Sequence, residues 1–390
     1  MYPTISDLLS DLFGIHLPLP IQSFGFFVAV SFLLAAYTLS LELKRKESLG
    51  LVTSFPRKVL KGAPATKQEI IFNVIIGFIL GYKLVYFVMN YSSLVDNPQQ
   101  ALLSRTGSFP GGIICAAVMG YWKYREKQKN KKENPEWVDE TIAPHELVGN
   151  ITMVAAVSGL LGAKIFHNLE YPEDLLKDPV DALLSFSGLT MYGGLIFGAI
   201  ATIWYGKKHG IAPLVLSDAA APGLMLAYGV GRIGCQVAGD GDWGIVNTST
   251  KPSWMGFLPD WFWSYNYPHN VISEGVQIPG CIGRHCYMLE QPVFPTPLYE
   301  SIVCILLFFI LWSVRKKINS PGLFFSLYLL LNGLERFAVE SIRVNARYHL
   351  AGISFTQAQM ISLLLIVTGI SGILVFGRKR KLMQVVDNRQ

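Results

Sequence analysis

Apolar residues run along the chain in nine long blocks, separated by polar, basic or turn-rich segments. The blocks fall near residues 22–41, 69–90, 107–122, 148–167, 187–205, 212–234, 297–314, 321–340 and 355–376. Each is close to the ~20 residues that a helix needs to cross a hydrocarbon core of about 30 Å. Lipid offers no water to backbone amides, so such a run folds as a helix. The pattern predicts an all-α, polytopic membrane helix bundle with about nine transmembrane helices. Composition agrees, with 51% hydrophobic and 15% charged residues in 390, against roughly 25% charged in soluble domains.

Charge orients these spans. Segments 42–68, 123–147, 207–208, 315–317 and 378–389 hold 23 of the 33 lysines and arginines, and all lie on one side of the predicted bundle. The opposite loops hold six: Arg105, Lys177, Lys251, Arg284, Arg343 and Arg347. Basic loops stay cytoplasmic, so the N-terminus is expected outside and the C-terminus inside. The net charge of +6 is thus a statement about topology, and no nucleic acid partner is expected. No basic residue precedes Lys44, so the first span lacks the charged start of a cleaved signal peptide.

Lys83, Lys164, Arg232 and Arg336 fall inside spans, near their outer ends. A long cationic side chain can snorkel to the headgroups. Four on one side, beside carboxylates, favour a shared polar cavity.

Two stretches resemble each other, 77–122 and 158–204. Gly81 aligns with Gly162, Lys83 with Lys164, Pro98 with Pro179 and Ala101 with Ala182. After a one-residue shift, Gly111-Gly112 aligns with Gly193-Gly194 and Trp122 with Trp204. Each unit is a span going out, an outer loop and a span returning, which makes a parallel internal repeat rather than an inverted one. The second copy carries the extra polar residues His167, Glu170 and Tyr192, so the site is expected there and the first copy is read as scaffold. The chain then divides into 1–68 (one span and a basic loop), 69–142 (the first repeat unit) and 143–390 (the core, with an outer insertion 238–296).

Polar motifs converge on the outer face. TMYGGL (190–195) opens the fifth span, with Gly193-Gly194 permitting close backbone approach. GRIGCQVAGDGDWG (231–244) closes the sixth, with Arg232, Cys235, Asp240 and Asp242. PTPLYE (295–300) opens the seventh and ends on Glu300. NGLERFAVESIR (332–343) closes the eighth, where Arg336, Glu340 and Arg343 recur at helical spacing and are expected on one face. An Arg336–Glu340 pair at i,i+4 is expected there. Asp218 lies further inside and reads as a helix-packing hydrogen bond or a lysine partner. A guanidinium fork matches phosphate geometry, so outer-leaflet arginines point to a phospholipid headgroup. No metal-ligand spacing, phosphate-binding glycine loop or serine elbow appears. Spare carboxylates beside a phosphate site fit a lipid-modifying transferase.

GRIGCQVAGDGDWG resembles the GRIGNFxNGExWG signature of the prolipoprotein diacylglyceryl transferase family. LSDAAAP resembles its D-x-x-AP stretch, LTMYGGLIFG its MSFHGGLIG, LLGAKIFHN its LGGRLGYVL, PTPLYE its HPxQLYE and LERFAVESIR its FRFIVEFxR. The motifs keep the family order over roughly 145–345. The resemblance implies transfer of the diacylglyceryl group of phosphatidylglycerol to the lipobox cysteine thiol of a prolipoprotein, with glycerol 1-phosphate leaving. It implies the bacterial plasma (inner) membrane, a site open to the outer leaflet, and no metal or soluble cofactor. Arg232 and Arg336 match the signature arginines, Glu340 the motif glutamate, and Gly231 and Gly234 the paired glycines. Departures stand at five places. Tyr192 replaces a histidine, Cys235 an asparagine, Asp240 or Asp242 a glutamate, Asn332 a tyrosine and Lys164 an arginine. Alternatives are a non-catalytic phospholipid-binding or transport protein and a transferase with another acceptor. A thiol with pKa near about 8.5 needs a base, for which Tyr192, an aspartate, or one of His269, His285 and His349 is available.

The outer insertion holds Cys281 and Cys286. In an oxidising compartment a small-loop disulfide fits, with a zinc site including His285 as the weaker alternative. LPDWFWSYNYPHN suits the headgroup interface, as an anchor or as a lid for the acceptor peptide.

Overall fold

The structure, a computed structural model, describes residues 1–15, 21–91, 104–132, 135–177, 179, 188–345, 347–350 and 353–387. Its long helices are α2 (Ser23–Ser48), α3 (Lys67–Met89), α4 (Phe109–Lys129), α5 (Val148–Glu170), α7 (Met191–Lys208), α8 (Pro213–Ala238), α9 (Thr296–Val314), α10 (Leu323–Glu340) and α11 (Gln357–Asp387). Short helices α1 (Ile5–Phe13) and α6 (Pro172–Lys177) accompany them, with three two-stranded antiparallel ladders. A helix stands at every position where the apolar pattern puts one. Six of them are long and apolar enough to cross a membrane. The other three are diluted for different reasons. α10 carries Glu335, Arg336 and Glu340, the last turns of α4 are charged, and α7 has only 18 residues and ends on Lys207-Lys208.

The described chain divides into two compact units. One comprises Met1–Thr53, Pro144–Thr152 and Ile203–Gln390; the other comprises Ser54–Ala143 and Met153–Thr202. In the first, α8 packs on α2, α9 and α10, and α10 packs on α11. Glycines set these distances. A Cβ on Gly234 would stand 3.0 Å from Phe27 Cβ of α2, and one on Gly229 would stand 3.2 Å from Ser301 O of α9. Gly231 meets nothing within 4 Å, so close packing does not explain that glycine. The apolar contact among α8, α9 and α10 centres on Ala221, Met225, Cys304, Phe308, Leu311 and Phe324.

One end of this bundle is held by charge. Glu42, 1% exposed, accepts from Arg45 and, at 2.8 Å, from Arg315 Nε. Asp218 accepts from Gly322 N (2.9 Å) and Phe325 N (2.7 Å) at the start of α10, and faces Lys46 Nζ at 3.8 Å. A carboxylate at a helix start satisfies orphan amides, so Asp218 is structural. Asp218→Ala leaves two amides and the buried Lys46 ammonium unanswered. Breaking a buried pair costs about 3–5 kcal/mol. The variant is expected to lose most of its soluble fraction after mild heating in detergent, and an unchanged heating curve would remove this role.

In the second unit, β1 (Phe55–Lys61) pairs with β2 (Glu136–Ile142). Helices α3 and α4 touch where a Cβ on Gly81 would meet Gly111 O at 2.3 Å. Helices α5 and α7 touch where a Cβ on Gly162 would meet Gly193 O at 2.5 Å. Lys83 donates to the carbonyls of Ser104 and, at 3.0 Å, Thr106. It holds the loop after its own helix.

Between α8 and α9 the connecting segment is folded around Trp243, Tyr267, Leu289 and Val293. Asn270 ties it internally, donating to Glu274 O (3.0 Å) and accepting from Glu274 N (2.9 Å). A short ladder, β3 (Val276–Gln277) with β4 (Tyr287–Met288), ends in a loop closed by the Cys281–Cys286 disulfide. Those sulfurs are bonded to each other rather than gathered with His285 around a metal.

Candidate functional site

The end of α8 starts the site. Gly239 takes φ 65°, a left-handed value that favours glycine, and Gly241 takes φ 97°. These turns bring Asp240 and Asp242 back toward the last turn of α8, where Arg232 and Cys235 lie. Gly244 then bonds Phe294 O at 2.8 Å, which leads the segment to the start of α9. There Thr296 Oγ1 donates to Asp242 O at 2.9 Å.

Glu300, one turn into α9, is fully buried. It accepts from Arg232 Nε at 2.9 Å, from Arg336 Nη1 at 2.8 Å, from Arg343 Nη1 at 3.2 Å and from Tyr228 OH at 3.1 Å. Arg336 Nη2 also faces Glu340 Oε2 at 3.0 Å, the expected i,i+4 pair. Glu340, 2% exposed, is fixed in turn by Thr356 Oγ1 and Asn345 Nδ2, both at 2.6 Å. Arg343 does not share the helical face of Arg336 and Glu340. Helix α10 stops at Glu340, and Arg343 follows a tight turn in which Ile342 N bonds Val339 O at 3.0 Å. The turn still delivers Arg343 to Glu300. Its other branch meets Asp242 Oδ1 at 2.6 Å, and Arg232 Nη1 pairs with Asp242 Oδ2.

Three guanidiniums therefore converge on Glu300, and two of them, Arg232 and Arg343, also meet Asp242, an anion of unlike exposure. Glu300 is sealed, whereas the Asp242 side chain is 38% exposed. Cys235 accepts a weak bond from Arg232 Nη1 at 3.6 Å. Cys235, Asp240 and Asp242 place one donor atom each within 4.8 Å of one another. Both oxygens of Asp242 are taken by arginines, so a cation there would face two guanidiniums.

The two aspartates titrate apart. Burial pushes Asp240 above the usual carboxylate range, with the Asp242 charge adding to it against the Cys235 hydrogen bond. Burial also raises Asp242, but the Arg232 and Arg343 charges outweigh it and hold Asp242 below the usual range. Carboxylates pushed apart in this way suit one proton-carrying and one permanently charged role.

Of the residues expected at the site, Arg232, Cys235, Asp240, Asp242, Glu300, Arg336, Glu340 and Arg343 lie in one network. Asn332 is half-buried one turn before Arg336. Gly234 packs on α2. Lys164, Tyr192, Gly193 and Gly194 belong to the other unit, where Lys164 is buried. Tyr228, Thr296, Asn345 and Thr356 were not expected. Tyr228 stands four residues before Arg232, with its ring 5.5 Å from the guanidinium carbon, a spacing the sequence does carry. Glu335, 5% exposed, is also new. Its electrostatic neighbours are Tyr228, Cys304, Tyr328 and Glu300.

This network is built from the very segments that carry the family signature. A model of the family described as prolipoprotein diacylglyceryl transferase matches residues 11–145 and 129–375. A phosphatidylglycerol–prolipoprotein diacylglyceryl transferase of Clostridium tetani is 32% identical over 261 residues, 67% of this chain and 89% of that protein. A second, of Clostridium perfringens, is 28% identical over 66% of this chain and 85% of its own length. One of Neisseria meningitidis is 30% identical over 58% of this chain and 77% of its own. With the matched segments spanning most of its length, the chain belongs to the prolipoprotein diacylglyceryl transferase family.

Proposed function

We propose that the protein transfers the diacylglyceryl group of phosphatidylglycerol to the lipobox cysteine of a prolipoprotein signal peptide. The observation that carries this reading is the asymmetric arginine cluster. Glu300 binds three guanidiniums out of reach of solvent, whereas Asp242, which pairs with both Arg232 and Arg343, has a partly exposed side chain. A lipid phosphate is the same kind of partner as a carboxylate for such a fork, and it enters on the Asp242 side. The acceptor thiolate attacks the diacylglyceryl carbon bearing the phosphate ester. A sulfur–carbon bond forms, the carbon–oxygen bond breaks, and glycerol 1-phosphate leaves with the electron pair. The arginines stabilise its charge. Asp240 takes the thiol proton, its raised basicity suiting that task; Tyr192, which replaces the family histidine, is the second candidate. Lys164, Gly193, Gly194, Gly231, Gly234, Cys235, Asn332 and Arg343 are read as lining the substrate path.

The same reading places nine spans in a bacterial plasma membrane, with the N-terminus outside and residues 143–390 as the transferase core. The repeat has support in packing. Gly81–Gly111 and Gly162–Gly193 are equivalent crossings, Val85 and Phe166 press on Gly111 and Gly193 alike, and a Cβ added to Gly112 or Gly194 would stand 3.2 Å from the carbonyl oxygen of Phe78 or Gly159. Pro98, Ala101 and Ala182 lie outside the described residues. Residues 69–142 are read as the scaffold copy.

Purified protein in vesicles containing phosphatidylglycerol should add a diacylglyceryl mass to a lipobox peptide. Arg336→Ala should lower that rate by about two to three orders of magnitude, the cost of one lost transition-state donor. No mass gain with wild type, where a standard family member works, would favour a non-catalytic lipid-binding role; lipid consumed without peptide modification would favour another acceptor.

A further inference from the structure

The aromatic motif that the sequence singles out, 258–270, is mostly internal. Tyr267 is fully buried and Trp263 packs on Phe294 with ring centres 5.3 Å apart. Apart from Trp261, which is 47% exposed, the exposed aromatics lie just before it, in a tight turn over 253–258. Met255 N bonds Pro252 O (2.9 Å), Gly256 N bonds Ser253 O (3.1 Å) and Leu258 N bonds Met255 O (2.9 Å). In such a 3₁₀ turn, residues three apart eclipse one another. One pair, Met255 and Leu258, turns inward, Met255 being 6% exposed. The other pair, Trp254 and Phe257, turns outward and is 71% and 81% exposed.

The turn is held rather than loose. Lys251 Nζ donates to Leu258 O (2.7 Å) and pairs with Asp260 (2.6 Å), closing the loop across its base. Trp263 Nε1 donates to Ser249 O at 3.0 Å, and Asn247 Nδ2 donates to Trp263 O at 2.8 Å. Its level in the fold is set by Tyr299, in the first turns of α9, whose hydroxyl donates to Phe262 O at 2.7 Å. Helix α9 is one of the apolar spans, and Leu306, Phe309 and Ile310 expose its apolar flank. Through Tyr299 the turn is thus tied to the first turns of that apolar helix.

We propose that Trp254 and Phe257 form a rigid wedge that inserts into the outer-leaflet headgroup region, continuing the lipid-facing surface of α9. Two large aromatics on a preformed turn lose little conformational freedom on insertion, and aromatic side chains favour the interface. Lys251 and Asp260 flank the wedge with charges that stay in water. The occupant is lipid, and the wedge is independent of the chemistry proposed for the arginine cluster.

The test is depth measurement on the full chain in vesicles of phosphatidylethanolamine and phosphatidylglycerol. Spin labels are placed on Trp254→Cys, Phe257→Cys and Asp260→Cys, with labelled wild type as background for Cys115. Collision with oxygen, relative to a water-soluble nickel complex, should be several-fold higher at 254 and 257 than at 260. Equal, water-like values at all three positions overturn the proposal. So does a lipid-like signal at 254 and 257 that arises only when a lipobox peptide is added, which would assign the turn to the acceptor. A second measurement avoids cysteine variants. Quenching of tryptophan emission by lipids brominated near the headgroup should fall in Trp254→Phe relative to wild type; unchanged quenching overturns the wedge.

Discussion

Glu300→Ala is expected to be the most damaging single substitution outside the backbone. Its carboxylate is fully buried and answers Arg232, Arg336, Arg343 and the Tyr228 hydroxyl. Alanine removes the anion and leaves the cations, and an uncompensated buried charge costs about 3–5 kcal/mol. Folded proteins hold only about 5–15 kcal/mol in reserve, so yield and melting temperature in detergent should both drop sharply. Glu300→Gln separates folding from chemistry. It keeps the shape and one acceptor oxygen but turns an amide donor toward one of the guanidiniums. The variant should accumulate in the membrane, while diacylglyceryl transfer falls by about two to three orders of magnitude. An alanine variant that melts with wild type would show that Glu300 does not organise the arginines.

How much of this was readable beforehand depends on the kind of signal. Apolar runs marked every long helix, because lipid leaves the backbone one solution. They did not mark where helices end: no glycine or proline stands among residues 341–350, just after Glu340, so Arg343 was assigned to a helical face it does not share. It reached the site by a turn instead. Arg232, Glu300, Arg336 and Glu340 were legible because charge inside apolar segments is costly. Asp218 was correctly read as structural for the same reason, a single carboxylate facing a neighbouring helix. Tyr228 carried a signal, four residues before Arg232, but a tyrosine in an apolar run is unremarkable by itself. Thr356 and Asn345 carried none, since their bonds to Glu340 depend on how the chain returns after α10. The four cations that the apolar pattern puts inside helices looked alike in sequence, yet Lys83 is bound by the loop after its own helix. The aromatic run 258–270 is split: Tyr265 and Tyr267 pack in the core of the segment between α8 and α9, whereas Trp261 is exposed, as are the less conspicuous Trp254 and Phe257 just before the run.

Asp240→Asn and Asp242→Asn should move stability in opposite directions while both lower activity. Asp240 is a weaker acid folded than unfolded, because burial opposes its charge. The folded state holds that proton longer, so stability falls as pH rises from about 4, the ordinary value, through the raised folded value. Asparagine removes this penalty. Asp240→Asn should melt higher than wild type at neutral pH, and the difference should vanish below about pH 4. Asp242 is a stronger acid folded, because Arg232 and Arg343 outweigh its burial. Its stabilisation is complete above about pH 4 and is lost only as pH falls through the depressed folded value. Asp242→Asn should therefore melt lower at neutral pH, converging with wild type in strong acid. Activity does not follow stability. Losing the proposed base at Asp240 should lower transfer by about two to four orders of magnitude, although the variant is the more stable protein. Melting curves and transfer rates on the same preparations across pH check both halves. A stabilised Asp240→Asn protein with full activity would leave the thiol proton to Tyr192.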